Sequence, residues 1–306
     1  DYFPMSKKLF SFICAISCSF IWGSAFVAQD MGMDHIGPFT FTGARMVIAF
    51  LCLLPFFFIY EFSDIKKTKT NSKIIVSYIV LLGFLLSAGM CLQQFALLRT
   101  DVANTAVFTI LYVVLVPFVA YFLFSKNIHW SIWPSVLMCL LGGFLLTELD
   151  DVTIRAGDTL SVINAFFWAF HIVFISKFLR IFNYPITIAA FQCLVGAVVA
   201  LVPAYIFEEI VFSNILLEWK ELFYVGVISS GIAFLLQIYA QQNLNPAPVA
   251  IILSLEGAIA AIFGWILLDQ FLNEIKILGI IVILIAVIFA QIVPLRNNKS
   301  KPKFYN

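Results

Sequence analysis

Ten apolar stretches, each long enough to cross a lipid bilayer, fill most of this 306-residue chain. They centre on residues 9–28, 38–60, 74–98, 103–124, 130–147, 158–176, 185–207, 221–241, 248–268 and 275–294. A bilayer core about 30 Å thick is spanned by roughly 20 apolar residues in a helix. With 11% charged residues and a mean hydropathy of +1.03, a water-soluble domain of this length could not hide its apolar surface. Inside lipid every backbone polar group has to be bonded within its own segment, so long apolar runs are helices. A transmembrane barrel would show short alternating strands instead. The expected fold class is an all-α integral membrane protein with ten transmembrane helices.

The connections are too short for a soluble domain; the longest, around Glu61–Lys73, is about a dozen residues. Lys7 and Lys8 precede the first stretch, but it runs on to Gln29-Asp30 with no small-residue cleavage site, so it reads as a spanning helix and not a signal peptide. Counted on alternating sides of the ten stretches, thirteen Lys and Arg fall on the side of the first residues, clustered around Lys7–Lys8, Lys66–Lys73 and Arg296–Lys303. Only Arg99, Arg155, Lys220 and Lys276 fall on the other. Positive residues accumulate on the cytoplasmic side, so both termini are expected there, in a multi-pass protein of a bacterial inner membrane. All six cysteines lie within apolar stretches, as small packing residues and not as disulfide or metal ligands.

The chain also repeats itself. Leu92-Gln93-Gln94-Phe95-Ala96 lies on Leu236-Gln237-Ile238-Tyr239-Ala240, and the same register sets Val102–Ala106 on Pro246–Ala250. Ile21-Trp22 answers Phe167-Trp168, and Pro38 and Pro55 answer Pro185 and Pro203. Two five-helix units are expected, residues 5–148 and 157–294. Because five is odd, the second enters the membrane from the opposite side. Such an inverted repeat marks many secondary transporters. Asp101 and Asn245 are expected to cap the fourth and ninth helices, and Gly157-Asp158 the sixth.

Transport through an apolar slab needs a polar path, which buried polar residues would line. Glu256, in the ninth stretch, is the one carboxylate well inside an apolar run. A lone charge in lipid costs about 3 kcal/mol or more, so it should face the interior, protonated or paired. Arg45 could pair with it, bind an anionic group, or snorkel outward; depth alone favours the last. Asn164, Trp168 and His171 form one stripe of the sixth stretch. The expected substrate-binding set is Trp22, Gln93, Gln94, Asn104, Tyr112, Trp168, His171, Gln237, Gln241 and Glu256, with Arg45 as a candidate charge partner. In the repeat register Tyr112 matches Glu256. Aromatic walls with a few amides suit an amphipathic organic solute better than a bare ion. No Walker-type loop, two-His zinc motif or convergent catalytic set occurs, so neither ATP hydrolysis nor enzymatic activity is expected, and no cofactor or metal. Glu148, Asp150 and Asp151 read as a solvated loop and not a cation site. Nothing points to nucleic acid as a partner.

These residues resemble a known family. Trp22-Gly23-Ser24-Ala25-Phe26, Gln94-Phe95-Ala96-Leu97, Gly157-Asp158-Thr159-Leu160 leading to Ala165-Phe166-Phe167-Trp168-Ala169, and Ser254-Leu255-Glu256 are similar, in order and spacing, to EamA-like members of the drug/metabolite transporter superfamily. The resemblance implies two inverted five-helix units around a central cavity, working by alternating access without ATP hydrolysis on amino acids, sugar conjugates, vitamins, drugs or other metabolites. Asp269 departs from it, standing where the second repeat commonly has Gly-Glu, and Ser125-Lys126 lacks the matching acid. The absence of a lysine deep in a helix weakens an organophosphate antiporter. The expected function is secondary transport of small organic metabolites, amino acids or similar, with a proton as a candidate coupling ion. The alternatives are a vitamin- or nucleoside-like solute, or a non-transporting receptor or scaffold.

Overall fold

In the computed structural model, residues 6–124, 129–146, 155–269 and 271–299 are described. The acidic loop at Glu148, Asp150 and Asp151 and the Ser125-Lys126 pair lie outside them. The described residues contain no strand. Their apolar helices are α1 Lys7–Met31, α2 Pro38–Ile65, α3 Ser72–Leu97, α4a Val102–Thr109 and α4b Tyr112–Phe124, α5 Ile132–Leu146, α6 Ala156–Leu179, α7 Pro185–Phe207, α8 Trp219–Asn243, α9a Pro246–Leu253 and α9b Leu255–Leu267, and α10 Glu274–Lys299. Counting α4 and α9 as one span each, nine are long and apolar enough to cross a bilayer, and α5 is a shorter apolar helix. The protein is thus an all-α membrane protein of about ten helices.

Local chemistry accounts for most departures from the expected boundaries. α2 runs past residue 60 because a π-helical turn, Phe57–Glu61, follows Pro55. Proline removes one ladder bond, and an extra residue in the turn lets the helix go on. The expected caps differ in detail. Asp101 and Asn245 do stand at N-cap positions with extended backbone, yet neither side chain makes a cap bond. Asp101 instead pairs with Arg155. At α6 the cap position belongs to Arg155, and Asp158, in the first turn, accepts the Arg155 N–H at 2.9 Å and the Thr100 hydroxyl at 2.7 Å. Asp269 has φ 52°. That is the left-handed region glycine tolerates best and Asp tolerates better than most residues.

The helices pack in four sets. α1 lies against α8 and α9, while α6 lies against α3 and α4, so each half contributes its first helix to the other half's hairpin. α2 and α7 form an antiparallel pair, and α5 packs on α10. With lipid outside, small residues that let backbones approach drive such packing. A Cβ on Gly23 would lie 2.6 Å from Ile259 Cβ and 2.7 Å from the Glu256 carbonyl oxygen, which fixes α1 tightly on α9b. A Cβ on Gly142 would lie 2.7 Å from the Gly279 carbonyl, so the glycine contact of α5 is made within the chain.

Candidate functional site

α4 and α9 are interrupted at matching places. Ile110 ends α4a with φ −59° and ψ −15°, and Ser254 ends α9a with φ −60° and ψ −13°. Val113 and Val114 bond to carbonyls only three residues back, one tight turn in an α-helix. In α9 the Ser254 hydroxyl turns back onto the Ile251 carbonyl at 2.7 Å, a bond that bends helices. Broken helices at membrane depth are tolerated where they line a cavity. Each break is followed within two residues by a polar side chain aimed at the other: the Tyr112 hydroxyl donates to a Glu256 carboxylate oxygen at 2.9 Å. The partners stand 144 positions apart, the register read from the repeat.

Arg45 is 1% exposed. The snorkelling expected from its depth does not occur, because neutral oxygens inside the bundle satisfy its fork. Nη1 donates to Gln29 Oε1 at 2.7 Å, Nε to the Ser230 hydroxyl at 2.8 Å and Nη2 to the Ser229 hydroxyl at 3.1 Å. Among the described residues no carboxylate lies within ion-pair distance of Arg45, and no cation within that distance of Glu256. The two ionisable groups therefore form no ion pair with each other. Both line one cavity, with Trp22, Phe26, Gln29, Met90, Gln93, Thr109, Tyr112, Trp168, Ile172, Ser229 and Phe234. Its free volume is about 30 Å³, room for one or two waters. An organic solute does not fit that volume.

One wall is aromatic. Trp22 and Trp168 lie 5.9 Å apart between ring centres, and Phe234 packs on both, stacked on Trp168 at 14°. The Trp22 indole N–H donates to the Ser229 carbonyl at 3.1 Å, whereas Trp168 Nε1 is buried without a hydrogen-bond partner among the described residues. A polar belt crosses the other side. Gln93 donates to Gln29 at 3.2 Å, and Asn164 donates to Gln93 at 3.4 Å and to Thr109 at 3.1 Å. Six helices, α1, α2, α3, α4, α6 and α8, meet through this belt and Arg45.

Of the residues singled out from sequence, the structure brings Trp22, Gln93, Tyr112, Trp168, Glu256 and Arg45 to the cavity. Gln94 is turned to the Gln29 carbonyl and Met33 sulfur. His171 bonds Gln192 at 3.0 Å, and Gln241 bonds the Ile172 carbonyl and Ser176. Gln237 is fully buried, and both polar atoms of its amide are without a partner among the described residues. Asn104 is half-buried on α4a. These five are not among the residues that line the cavity. Sequence reasoning omitted Thr109, Ser229 and Phe234, which look like ordinary packing residues, and Gln29, whose place on the Trp22 face of the first helix was the available signal.

An all-helical bundle with facing broken helices and a cavity lined by an arginine and a glutamate is the build of a membrane transporter. The profile of the EamA-like transporter family matches residues 9–148 and again residues 155–291, and the chain belongs to that family. It is 27% identical over 286 residues to an uncharacterized transporter of Archaeoglobus fulgidus, covering 94% of this chain and 87% of that one. It is 28% identical over 282 residues to the uncharacterized transporter YoaV of Bacillus subtilis, covering 88% and 92%. A solved crystal structure at 16% identity shares the fold, with a TM-score of 0.76 over 94% of this chain and 98% of that one.

Proposed function

We propose that this transporter carries a small zwitterionic metabolite of the amino-acid type, by alternating access and without ATP hydrolysis. The observation that carries the reading is the placement of two uncancelled groups in one cavity. Among the described residues, the Arg45 guanidinium donates to neutral oxygens alone, and the Glu256 carboxyl accepts from the Tyr112 hydroxyl alone. A carboxylate on the solute complements the first, since arginine binds carboxylates through its fork. An ammonium complements the second. The aromatic wall of Trp22, Trp168 and Phe234 takes the side chain, and an ammonium near it gains cation–π attraction.

Alternating access follows from two units of residues 5–148 and 157–294 related by an inverted repeat. The matching breaks at Ile110 and Ser254 and the exchange of α1 and α6 between hairpins support it. Two near-equivalent groups of helices can rock about the cavity and open it to either face. The charge bias supports a cytoplasmic position for Lys7 and the 66–73 segment, in a protein of a bacterial inner membrane. The Lys7 face is called the inner face below.

Reconstituted protein in proteoliposomes, given a panel of radiolabelled amino acids, vitamins and nucleosides with and without a pH gradient, tests this. Counterflow of at least one amino acid is expected, inhibited by neither the free amine nor the free acid alone. Flux of only uncharged nucleosides or vitamins would replace the zwitterion reading with stacking on the Trp168–Phe234 wall. No flux of any solute would favour a receptor or scaffold.

A further inference from the structure

Three of the polar residues picked out from sequence, His171, Gln237 and Gln241, follow the cavity residues Trp168 and Phe234 along α6 and α8, toward the inner face. A second space lies at their far end, with a volume of about 270 Å³. Ser176, Arg180 and Asn183 line it from the end of α6 and its connection to α7. Gln241, Gln242 and Asn245 line it from the end of α8 and its connection to α9. An adjoining opening shares Asn183 and Gln242 with it and reaches Lys7. Ile172 lines the central cavity and Ser176 the inner space. The two spaces are therefore one turn of α6 apart, about 6 Å along the helix.

Gln241 closes that turn. Its Nε2 donates to the Ile172 carbonyl at 2.6 Å and to the Ser176 hydroxyl at 2.7 Å, so one side chain of α8 bonds both edges of the partition. Beside it, Gln242 Nε2 donates to Asn183 Oδ1 at 2.8 Å. These bonds cross between two groups of helices, since α8 packs on α1 while α6 packs on α3 and α4. Gln237 lies on the same face of α8, three residues after Phe234 and four before Gln241. Both polar atoms of its buried amide have no partner among the described residues. The same holds for His171 Nδ1 and Gln192 Nε2, although the two side chains bond each other through their other polar atoms. Buried polar groups are paired as a rule, and an apolar side chain would pack here without leaving a donor or acceptor unmet. Polar groups in such places suit a lining that is wetted in another state of the protein. The outer end is closed differently. Leu97, which matches Gln241 in the repeat register, packs there with Phe26, Met33, Ile36 and Val102.

We infer that the solute passes between the central cavity and the inner face along α6 and α8, and that Gln241 is a positioning residue, the gate of that route. This rests on the alternating-access reading above. The gate is shut in this structure. It opens when the end of α8 moves away from α6, and Gln241 then exchanges the Ile172 carbonyl and the Ser176 hydroxyl for water or solute. α9a packs on α4b in the same half, through residues that are almost all apolar, and parts from it in the same movement. Removing the Gln241 bonds destabilises only the state in which the inner face is shut, so it favours inner opening. A side chain that merely stabilised the fold would not act on one face alone.

The test needs no known substrate. Met90 lines the central cavity from α3, away from the gate. A reporter Met90→Cys, on a background whose six native cysteines are replaced, is labelled by a membrane-impermeant maleimide from each face in vesicles of known orientation. Gln241→Met keeps the length of the side chain and removes its N–H donors. It should raise the labelling rate from the inner face about three- to tenfold, as the loss of one or two net hydrogen bonds shifts an equilibrium, without raising the rate from the outer face. An unchanged inner rate, a lower one, or an equal rise from both faces overturns the gate. A second variant keeps the route shut without touching Gln241. Asn183→His with Gln242→His sets two imidazoles where the amides now meet, able to share a zinc ion. Zinc should stop labelling from the inner face and leave labelling from the outer face, a chelator should restore it, and neither single histidine variant should respond. Inner labelling that persists with zinc places the route elsewhere and overturns the inference. A parent reporter that reacts from both faces while these variants fail refutes the gate alone. A parent reporter that reacts from one face only, or from neither, refutes alternating access and the gate with it.

Discussion

Glu256→Gln separates the roles open to the cavity carboxyl. The amide keeps nearly the same shape, and its oxygen still accepts the Tyr112 hydroxyl, which donates to Glu256 at 2.9 Å. Folding should therefore change little. What is lost is the negative end of a charge-assisted bond to the solute's ammonium. Hydrogen bonds to charged groups contribute about 1.5–3 kcal/mol, and each 1.4 kcal/mol is tenfold in affinity. Binding of the transported amino acid should weaken by about 10- to 150-fold. The assay is counterflow in proteoliposomes with paired competitors, each amino acid beside its N-acetyl derivative, which keeps the carboxylate and lacks the ammonium. Wild-type protein should prefer the free amino acid, and Glu256→Gln should lose most of that preference while binding the N-acetyl derivative as before. An undiminished preference in the variant refutes the ammonium contact. If counterflow stays intact while accumulation driven by a pH gradient is abolished, Glu256 is instead the carrier of a coupling proton.

Arg45→Lys keeps a positive charge but cannot reproduce the three bonds to Gln29, Ser229 and Ser230. It should bind the amino acid about tenfold less well while leaving its amide analogue unaffected, and equal losses for both analogues would count against a carboxylate contact. Tyr112→Phe leaves the buried Glu256 carboxyl without its donor and should cost about 1–3 kcal/mol of stability, read as faster thermal inactivation in detergent; an unchanged rate would show that another group satisfies it. A cysteine at position 67 should react with an impermeant thiol reagent only from the cytoplasmic side, and one at position 34 only from the opposite side. The reverse pattern would invert the topology.

The fold was largely legible because lipid imposes one rule. Every run of about twenty apolar residues has to be a helix, so α1, α3, α6, α7 and α10 follow from composition alone. The interruptions are harder to see. No proline or glycine stands at Ile110, and Phe108, Ile110 and Leu111 are apolar. Nothing in that segment distinguishes a broken helix from a continuous one. Pro55 lies within the apolar stretch 38–60, and the π turn after it carries α2 past that stretch to Ile65. Periodicity registers how apolar a face is, and not where one backbone bond changes partner.

The site divides along the same line. Tyr112 and Glu256 could be paired from sequence, because a repeat register converts a long-range contact into an alignment. Their separation of 144 positions is the spacing that sets Leu92 on Leu236. Arg45 could not be placed that way. Depth argued for the surface, and only the convergence of Gln29 from α1 with Ser229 and Ser230 from α8 shows why the guanidinium stays inside. The carboxylates at the ends of α2 and α7 lie between these cases, Glu208 accepting the Phe39 and Thr40 N–H groups and Glu61 those of Ile186 and Thr187. Pro38-Phe39-Thr40 and Pro185-Ile186-Thr187 are 147 positions apart, and so are Glu61 and Glu208. The four segments therefore repeat as a set, although each glutamate, taken singly, looks like a charge in a solvated loop. A carboxylate at a helix end becomes informative when its partner donors repeat at the same interval, since the fold then has to bring the first acid to the second set of donors and the second acid to the first.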